Sequence, residues 1–211
     1  MHPIQRPTAA VHPPIPGLRA LFLLAAFAGA GEATAASSFE RVVDTVRLGE
    51  RVTISEHGPE LLLNGAGVRR RLFINVYVGA LYLMRRQNTA QGVIADEGPK
   101  RMLVHVLRDE VPSDQLVSAI QDAIAANHTP AELGEMDGAL REFREMLSAL
   151  VVLRKGAVIA LDYLPGAGTR VTVNGQQRGT VAGAAFNRAL LRVWLGEHPV
   201  DVRLKQALLG S

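Results

Sequence analysis

Hydrophobic and polar residues alternate with a period of two in several segments that follow residue 50, and this pattern predicts β-strands. Arg51–Gly65 has the alternation and the Gly and Asn stops of one or two short strands. Leu72–Met84 is dense in Val, Tyr, Phe and Leu, which favours a strand or a pair of strands. Lys100–Val111 carries apolar residues on both of its faces, so we expect it to be a central strand.

Between and after these strands, apolar residues recur at helical spacing. Residues 113–124 form one such segment, with Ser113 as its predicted N-cap. Thr129–Glu132 combines a capping Thr, a Pro at the first helical position and the Glu of a capping box, and the apolar stripe that follows runs to Leu150. Two further helices are predicted at Ala184–Gly196 and Val200–Leu209.

The segments "AVIALDYL", "TRVTVNG" and "RGTVAG" predict three short strands, separated by "PGAG" and by a turn near Asn174–Gly175. Their close spacing indicates an antiparallel meander. The order of strands, two helices, strands and two helices predicts an α+β fold with a mainly antiparallel sheet. Because "PGAG" leads into a strand and not a helix, a phosphate-binding loop is not indicated.

The N-terminal segment has the features of a secretory signal peptide. Arg6 and Arg19 supply positive charge, Ala20–Gly31 is an apolar run, and Ala33–Ala35 fits a small-x-small cleavage site. We therefore predict a signal peptide over residues 1–35, a single domain over residues 36–211 and a periplasmic location. Retention of the apolar run as an anchor is the alternative, although it is shorter than the roughly 20 residues of a spanning helix.

Charge and composition exclude several classes of function. The chain of 211 residues has 23 Lys and Arg against 20 Asp and Glu, and removal of residues 1–35 leaves 21 against 19. This weak excess argues against binding to nucleic acid, which needs a concentrated basic surface. The chain has no cysteine, so disulfides, thiolate metal sites and cysteine nucleophiles are excluded.

Three adjacent arginines, residues 69–71, stand at the entrance of the longest apolar run outside the N-terminal segment. If the chain is extended to Tyr77, the period of two places one set of residues on a common face: Arg69, Arg71, Phe73, Asn75 and Tyr77. Cationic, amide and phenol donors among apolar groups suit an amphipathic ligand with a carboxylate or enolate head group. A solvated charge cluster at the end of a strand is the alternative.

His105 is the one histidine that lies in an apolar predicted strand. It is a candidate for lining a pocket or ligating a group. A hydrogen-bonded core histidine is the alternative, because no second ligand accompanies it at metal-binding spacing.

Four segments in this order resemble the chalcone isomerase-like family in its bacterial exported branch: "LLLNGAGVRRRLFINVYVGALYL", "KRMLVHVLRDEV", "LDYLPGAGTRVTVNG" and "ALLRVWLGEHPVDVRLKQALLG". The resemblance covers roughly Val52 to Gly210. It implies an open-faced β-sandwich, in which a large, mainly antiparallel sheet is covered by a helical layer with a ligand cleft between them. The family includes enzymes that close an enone without a cofactor, fatty-acid-binding proteins and a haem-binding branch.

The resemblance also assigns roles to residues. Arg69 matches the arginine that stabilises negative charge in the enzymes, and Tyr77 stands where they have a catalytic Thr. Asp109–Leu116 lacks the Tyr that the enzymes carry there. The main hypothesis is therefore a cofactor-free binding protein for a fatty acid or similar ligand, with Arg69, Arg71, Asn75, Tyr77 and His105 as candidate contacts. An intramolecular lyase using Arg69 and Tyr77, and a haem protein with His105 or Tyr77 as ligand, are the alternatives.

Overall fold

The structure is a computed structural model that describes residues 40–211. The predicted signal peptide, residues 1–35, lies outside the described residues. No helix among residues 40–211 is long and apolar enough to cross a membrane. The described residues form eleven strands: β1 (Glu40–Val43), β2 (Val46–Gly49), β3 (Arg51–Thr53), β4 (Glu60–Arg71), β5 (Ile74–Leu83), β6 (Lys100–Val106), β7 (Glu110–Pro112), β8 (Val152–Arg154), β9 (Val158–Leu164), β10 (Gly168–Val173) and β11 (Gln176–Val181).

The same residues form six helices. The predicted capping box is present at Thr129, whose side chain accepts from the Glu132 amide while the Glu132 carboxylate accepts from the Thr129 amide. Ser113 was expected to be a cap but is the first residue of its helix, and Pro112 precedes it without a side-chain cap. The helices are α1 (Ala90–Ala95), α2 (Ser113–Ala125), α3 (Pro130–Glu135), α4 (Asp137–Ser148), α5 (Ala184–Leu195) and α6 (Val202–Leu208).

The single helix predicted up to Leu150 is divided into α3 and α4. Met136 separates them with φ of −105° and ψ of 5°, outside helical geometry. Gly134 and Gly138 flank this break, and glycine weakens a helix interior by about 1 kcal/mol relative to alanine. The apolar stripe is continuous across the break, which is why periodicity alone predicted one helix.

Seven strands form one antiparallel sheet in the order β11-β10-β9-β6-β5-β4-β3. β6 is its middle strand, as the apolar residues on both of its faces predicted. The chain leaves β6, forms β7, helices α2 to α4 and β8, and returns as β9 beside β6. This confirms the α+β fold with a large antiparallel sheet.

The two faces of the sheet are covered differently. One face packs against α2, α4, α5 and α6 and carries the larger apolar core. The opposite face carries a smaller core that includes Val46 and Leu48 of the β1–β2 hairpin, and Val78 and Tyr82 of β5. Alternate residues of each strand therefore enter different environments.

Glycine in β4 brings one helix close to the sheet. A Cβ placed on Gly65 would lie 2.1 Å from the carbonyl oxygen of Ala207, and one on Gly67 would lie 2.6 Å from the Ala207 Cβ. Only glycine permits this approach. The result is that α6, with Asp201 at its N-cap, lies against β4 near its three arginines.

The segment from Arg69 to Tyr77 is not one extended strand. β4 ends at Arg71, Leu72 and Phe73 form the turn, and β5 begins at Ile74. The register pairs Arg69 with Tyr77, Arg70 with Asn75 and Arg71 with Ile74, with a shift between the first two pairs. Residues opposite each other in an antiparallel pair share a face, so the pairing and not the period of two places these side chains.

Candidate ligand-binding site

A cavity lies between the sheet and the helical layer, at the β4–β5 turn end of the sheet. Its outer chamber has a volume of about 390 Å³ and opens beside Arg71, Leu72 and Arg108. An inner chamber of about 50 Å³ continues towards Phe143 and Trp194. The two chambers share six lining residues: Arg69, Tyr77, Val104, Leu116, Ala119 and Ile159.

Arg69 and Tyr77 stand where the two chambers meet. They are direct cross-strand neighbours, and the Arg69 Cζ lies 5.5 Å from the centroid of the Tyr77 ring. This is a cation–π contact, which places the guanidinium over the Tyr77 ring. The Tyr77 hydroxyl accepts a hydrogen bond from Trp194 Nε1 at 2.8 Å. A guanidinium and a phenol are thus held together on an otherwise mostly apolar wall.

The Nε of Arg69 is buried and has no hydrogen-bond partner among the described residues. A buried donor without a partner costs about 1–3 kcal/mol, and more when it is charged. Asp201 provides the neighbouring negative charge, but its carboxylate accepts from the amides of Arg70, Arg203 and Leu204 and not from Arg69. Arg69 is therefore a half-buried cation whose buried Nε has donor capacity left for an anion.

Burial raises the pKa of Tyr77 to about 12, although the Arg69 charge and the hydrogen bond from Trp194 both act to lower it. At pH 7 only about one molecule in 10⁵ then carries a Tyr77 phenolate. The neutral phenol keeps its proton, and its oxygen already accepts from Trp194. Tyr77 can therefore donate one hydrogen bond into the cavity.

The structure joins some of the predicted site residues and separates others. Arg71 lines the rim of the outer chamber with its side chain exposed. Asn75 lies on the other face, where its side-chain oxygen accepts from Arg70 Nε at 3.2 Å. The turn and the shifted register break the period of two that had grouped Asn75 with Arg69.

His105 also lies on the other face of the sheet, with Leu103 and Leu107, while Val104 and Val106 face the cavity. Burial lowers the pKa of His105. Its position in the strand alternation means that it does not line the same cavity as Arg69 and Tyr77. Among the described residues there is also no group of three or more His, Asp or Glu arranged to hold a metal ion.

Two residues of the site were not anticipated as such. Trp194 was predicted only as part of the apolar side of α5, yet its indole fixes the Tyr77 hydroxyl. Asp201 gave no signal beyond its place in the first turn of the helix predicted over Val200–Leu209. A Trp whose N–H must find a partner when buried was a possible clue, but its partner is 117 positions away in the chain.

A larger depression, of about 790 Å³, lies against α5 and the loops that follow α2 and α5. Its wall carries charged residues of both signs, and two of its cations already have partners: Arg192 lies 3.7 Å from Glu132, and Lys205 Nζ donates to the Gly196 carbonyl at 2.7 Å. The apolar cavity beside Arg69 has a volume and a lining typical of a ligand site. Size alone therefore does not select the functional site.

The fold and this cavity define a class of α+β protein in which a large antiparallel sheet and a helical layer enclose an apolar cleft with an arginine in its wall. Residues 40–210 match the family model described as chalcone isomerase-like, so the chain belongs to that family. The crystal structure of a fatty-acid binding protein from Arabidopsis thaliana is similar, with a TM-score of 0.56 and 17% sequence identity, over 76% of this chain and 96% of that one. Among curated proteins, no sequence matches this chain.

Proposed function

We propose that this protein binds an amphipathic carboxylate of the fatty-acid type, with its head group at Arg69 and Tyr77 and its chain in the outer chamber. The observation that carries the proposal is the buried Arg69 Nε, which has no partner among the described residues and lies in an apolar cavity. A carboxylate at this point would accept from the guanidinium and from the Tyr77 hydroxyl. Of the two chambers, the outer one has room for an alkyl chain.

The lining of the outer chamber suits an alkyl chain. Val104, Val106 and Ile159 form its floor on the sheet, and Leu116 and Leu153 lie in its wall. Transfer of apolar surface from water into such a lining favours binding by about 25 cal/mol per Å². The site thus separates a polar end from an apolar end, as an amphipathic ligand requires.

The pKa of Tyr77 favours binding over acid–base catalysis. A general base works best when its pKa lies near the operating pH, and the pKa of Tyr77 is about 12. A phenol that stays protonated is a good hydrogen-bond donor to a carboxylate. For the lyase alternative, incubation with chalcones is expected to show no ring closure above the spontaneous rate.

Calorimetric titration with three ligands of equal chain length tests the head-group assignment: dodecanoate, dodecanol and dodecyltrimethylammonium. We expect dodecanoate to bind about tenfold or more tightly than dodecanol, since a hydrogen bond to a charged group contributes about 1.5–3 kcal/mol. The cationic ligand should bind most weakly. Equal affinity for dodecanoate and dodecanol would contradict the proposal.

Two arginine variants provide the matched comparison. Arg69→Met keeps the length of the side chain and should remove the preference for dodecanoate while leaving the affinity for dodecanol unchanged. Arg178→Met removes an exposed arginine of β11, which is not in the cavity lining, and should change neither value. Mass spectrometry of protein purified from its native host and then denatured should find a carboxylated lipid with wild-type protein and not with Arg69→Met.

We further propose export to the periplasm, on the basis of the charged and apolar pattern of residues 1–35. N-terminal sequencing of protein from the periplasmic fraction should give a chain that begins just after Ala35. Recovery of an uncleaved chain in the membrane fraction would instead support the anchor.

A further inference from the structure

The turn between β4 and β5 exposes large apolar side chains. Leu72 is 87% exposed, Phe73 is fully exposed and Ile74 is 54% exposed. We call these three residues the tip. Two-residue turns usually carry Asn, Asp or Gly, and Leu72 adopts a φ of 56°, which is uncommon for a residue other than glycine, asparagine or aspartate. A turn that keeps apolar residues in this conformation indicates a surface for interaction.

Positive charge surrounds the tip. Arg70 and Arg71 precede it in β4, and Arg108 lies across the mouth of the outer chamber. Arg71 and Arg108 have no ion pair within the described part of the chain. Two acidic groups nearby are already engaged: Asp201 accepts from three backbone amides, and Glu110 pairs with Arg154 at 2.6 Å.

Apolar side chains ringed by arginine match the interface of an anionic bilayer. The apolar groups can enter the boundary between head groups and acyl chains, while guanidinium groups pair with lipid phosphates. Each Lys or Arg near an anionic membrane surface contributes about 1 kcal/mol to binding. Apolar side chains together with arginines indicate an anionic bilayer more specifically than either the apolar side chains or the arginines alone.

The tip is also part of the cavity rim. Leu72 and Ile74 line the outer chamber together with Arg71. We infer that the tip docks on an anionic lipid bilayer and forms the entrance through which an amphipathic ligand passes between the bilayer and the cavity. This inference deepens the proposed function, since it names where the ligand is collected.

Vesicle flotation of the purified full-length protein tests the docking. Vesicles of phosphatidylcholine alone are compared with vesicles that also contain phosphatidylglycerol, and binding should require the anionic lipid. Phe73→Asp should lower partitioning about tenfold or more, since one buried aromatic side chain is lost from the bilayer. Arg70→Gln should lower it about fivefold. Met84→Asp is the control, because Met84 is also exposed but follows the far end of β5.

A fluorescent variant localises the contact independently of the N-terminal segment. Phe73→Trp should show a blue-shifted emission and quenching by brominated acyl chains on anionic vesicles, over a constant background from buried Trp194. Met84→Trp should show neither effect. Absence of quenching in Phe73→Trp, unchanged partitioning of Phe73→Asp, or a dimer in solution that Phe73→Asp dissociates would overturn the inference.

Dodecanoate titration without vesicles separates this inference from the proposed function. Phe73 does not line the cavity, so Phe73→Asp should retain wild-type dodecanoate affinity. Arg69→Met should bind dodecanoate no more tightly than dodecanol and should still bind vesicles. Wild-type protein that binds dodecanoate but not anionic vesicles would overturn the docking. Wild-type protein that binds the vesicles but not dodecanoate would overturn the ligand assignment.

Discussion

The two faces of the sheet bury arginine in opposite ways. On the face away from the helices, Arg101 and Arg170 both bond to Asp162, which is 1% exposed. The distances are 2.6 Å from Arg101 Nε to Oδ1 and 2.8 Å from Arg170 Nη2 to Oδ2. On the cavity face, Arg69 Nε is buried without a partner in the described residues.

This difference separates a structural arginine from one that is available for a ligand. Strands β6 and β10 place Arg101 and Arg170 on either side of Asp162 in β9, so both guanidinium groups share one carboxylate within the sheet. Arg69 lies opposite Tyr77, which is neutral. A buried donor that the fold leaves without an acceptor supports the proposal that a bound anion completes the site.

Removal of Asp162 should have the largest effect on stability. Asp162→Ala leaves two partly buried guanidinium groups uncompensated and should lower the free energy of unfolding by about 3 kcal/mol. Urea denaturation measures this loss. Glu60→Ala, which removes the exposed ion pair with Arg51, should cost less than about 1 kcal/mol. Equal losses in the two variants would show that the Asp162 cluster is not structural.

High pH should destabilise both faces through buried tyrosines. Burial raises the pKa of Tyr77, on the cavity face, and of Tyr82, on the other face, to about 12 from an ordinary value of 10. Above pH 10 the unfolded chain releases protons that the folded chain retains, so stability falls as the pH rises from 10 to 12. At pH 11 each tyrosine should account for about 1 kcal/mol of this loss.

Denaturation of Tyr77→Phe and Tyr82→Phe at pH 8 and pH 11 checks the contribution of each tyrosine. Between pH 8 and pH 11 the free energy of unfolding should fall less in each variant than in the wild type, whatever the stability of the variant at pH 8. An identical decline in both variants and the wild type would contradict the prediction.

Replacement of Arg69 should change stability less than replacement of Asp162 does. It should raise the free energy of unfolding, whereas Asp162→Ala lowers it. Arg69→Met removes a buried donor that lacks a partner but also removes the cation–π contact with Tyr77. These terms oppose each other, so we expect a gain between zero and about 1 kcal/mol in the free energy of unfolding. A loss above 2 kcal/mol by urea denaturation would place Arg69 with the structural arginines.

The smallest expected effect comes from the charge of Asp201. Burial acts to raise the pKa of Asp201, but hydrogen bonds from the backbone amides and the Arg69 charge lower it overall, so it competes with a bound anion for Arg69. Asp201→Asn keeps an efficient N-cap for α6 and should raise dodecanoate affinity about twofold at low salt. The increase should disappear in 0.5 M salt. An unchanged affinity at low salt would mean that Asp201 does not oppose ligand binding.

Much of the fold could be predicted from local pattern. The capping box at Thr129, the strands β9 to β11 and the helix that ends at Leu195 follow from signals within a few residues of each element. The β1–β2 hairpin and α1 were missed, because the first is mixed and polar and the second has six residues. Short elements carry too few positions for a period to be distinguished.

The candidate site was predicted in part. Arg69 and Tyr77 were grouped by a period of two that the turn in fact interrupts, and the strand register places them together instead. The same interruption moves Asn75 to the other face, and the alternation of β6 places His105 there as well. Pairing across strands depends on register, which a one-residue bulge changes and a linear pattern does not show.

The sequence by itself determined which residues alternate, that a helix begins after Thr129, that no cysteine chemistry is available and that three arginines meet an apolar run. Only the tertiary structure decided that one of those arginines enters a cavity, that Trp194 holds the Tyr77 hydroxyl, and that Leu72 and Phe73 stand in solvent. The physical reason is that periodicity acts between neighbours in the chain. Pairing of charge and the use of a hydrogen-bond donor join residues far apart in the chain, such as Arg101 and Asp162 at 61 positions and Trp194 and Tyr77 at 117.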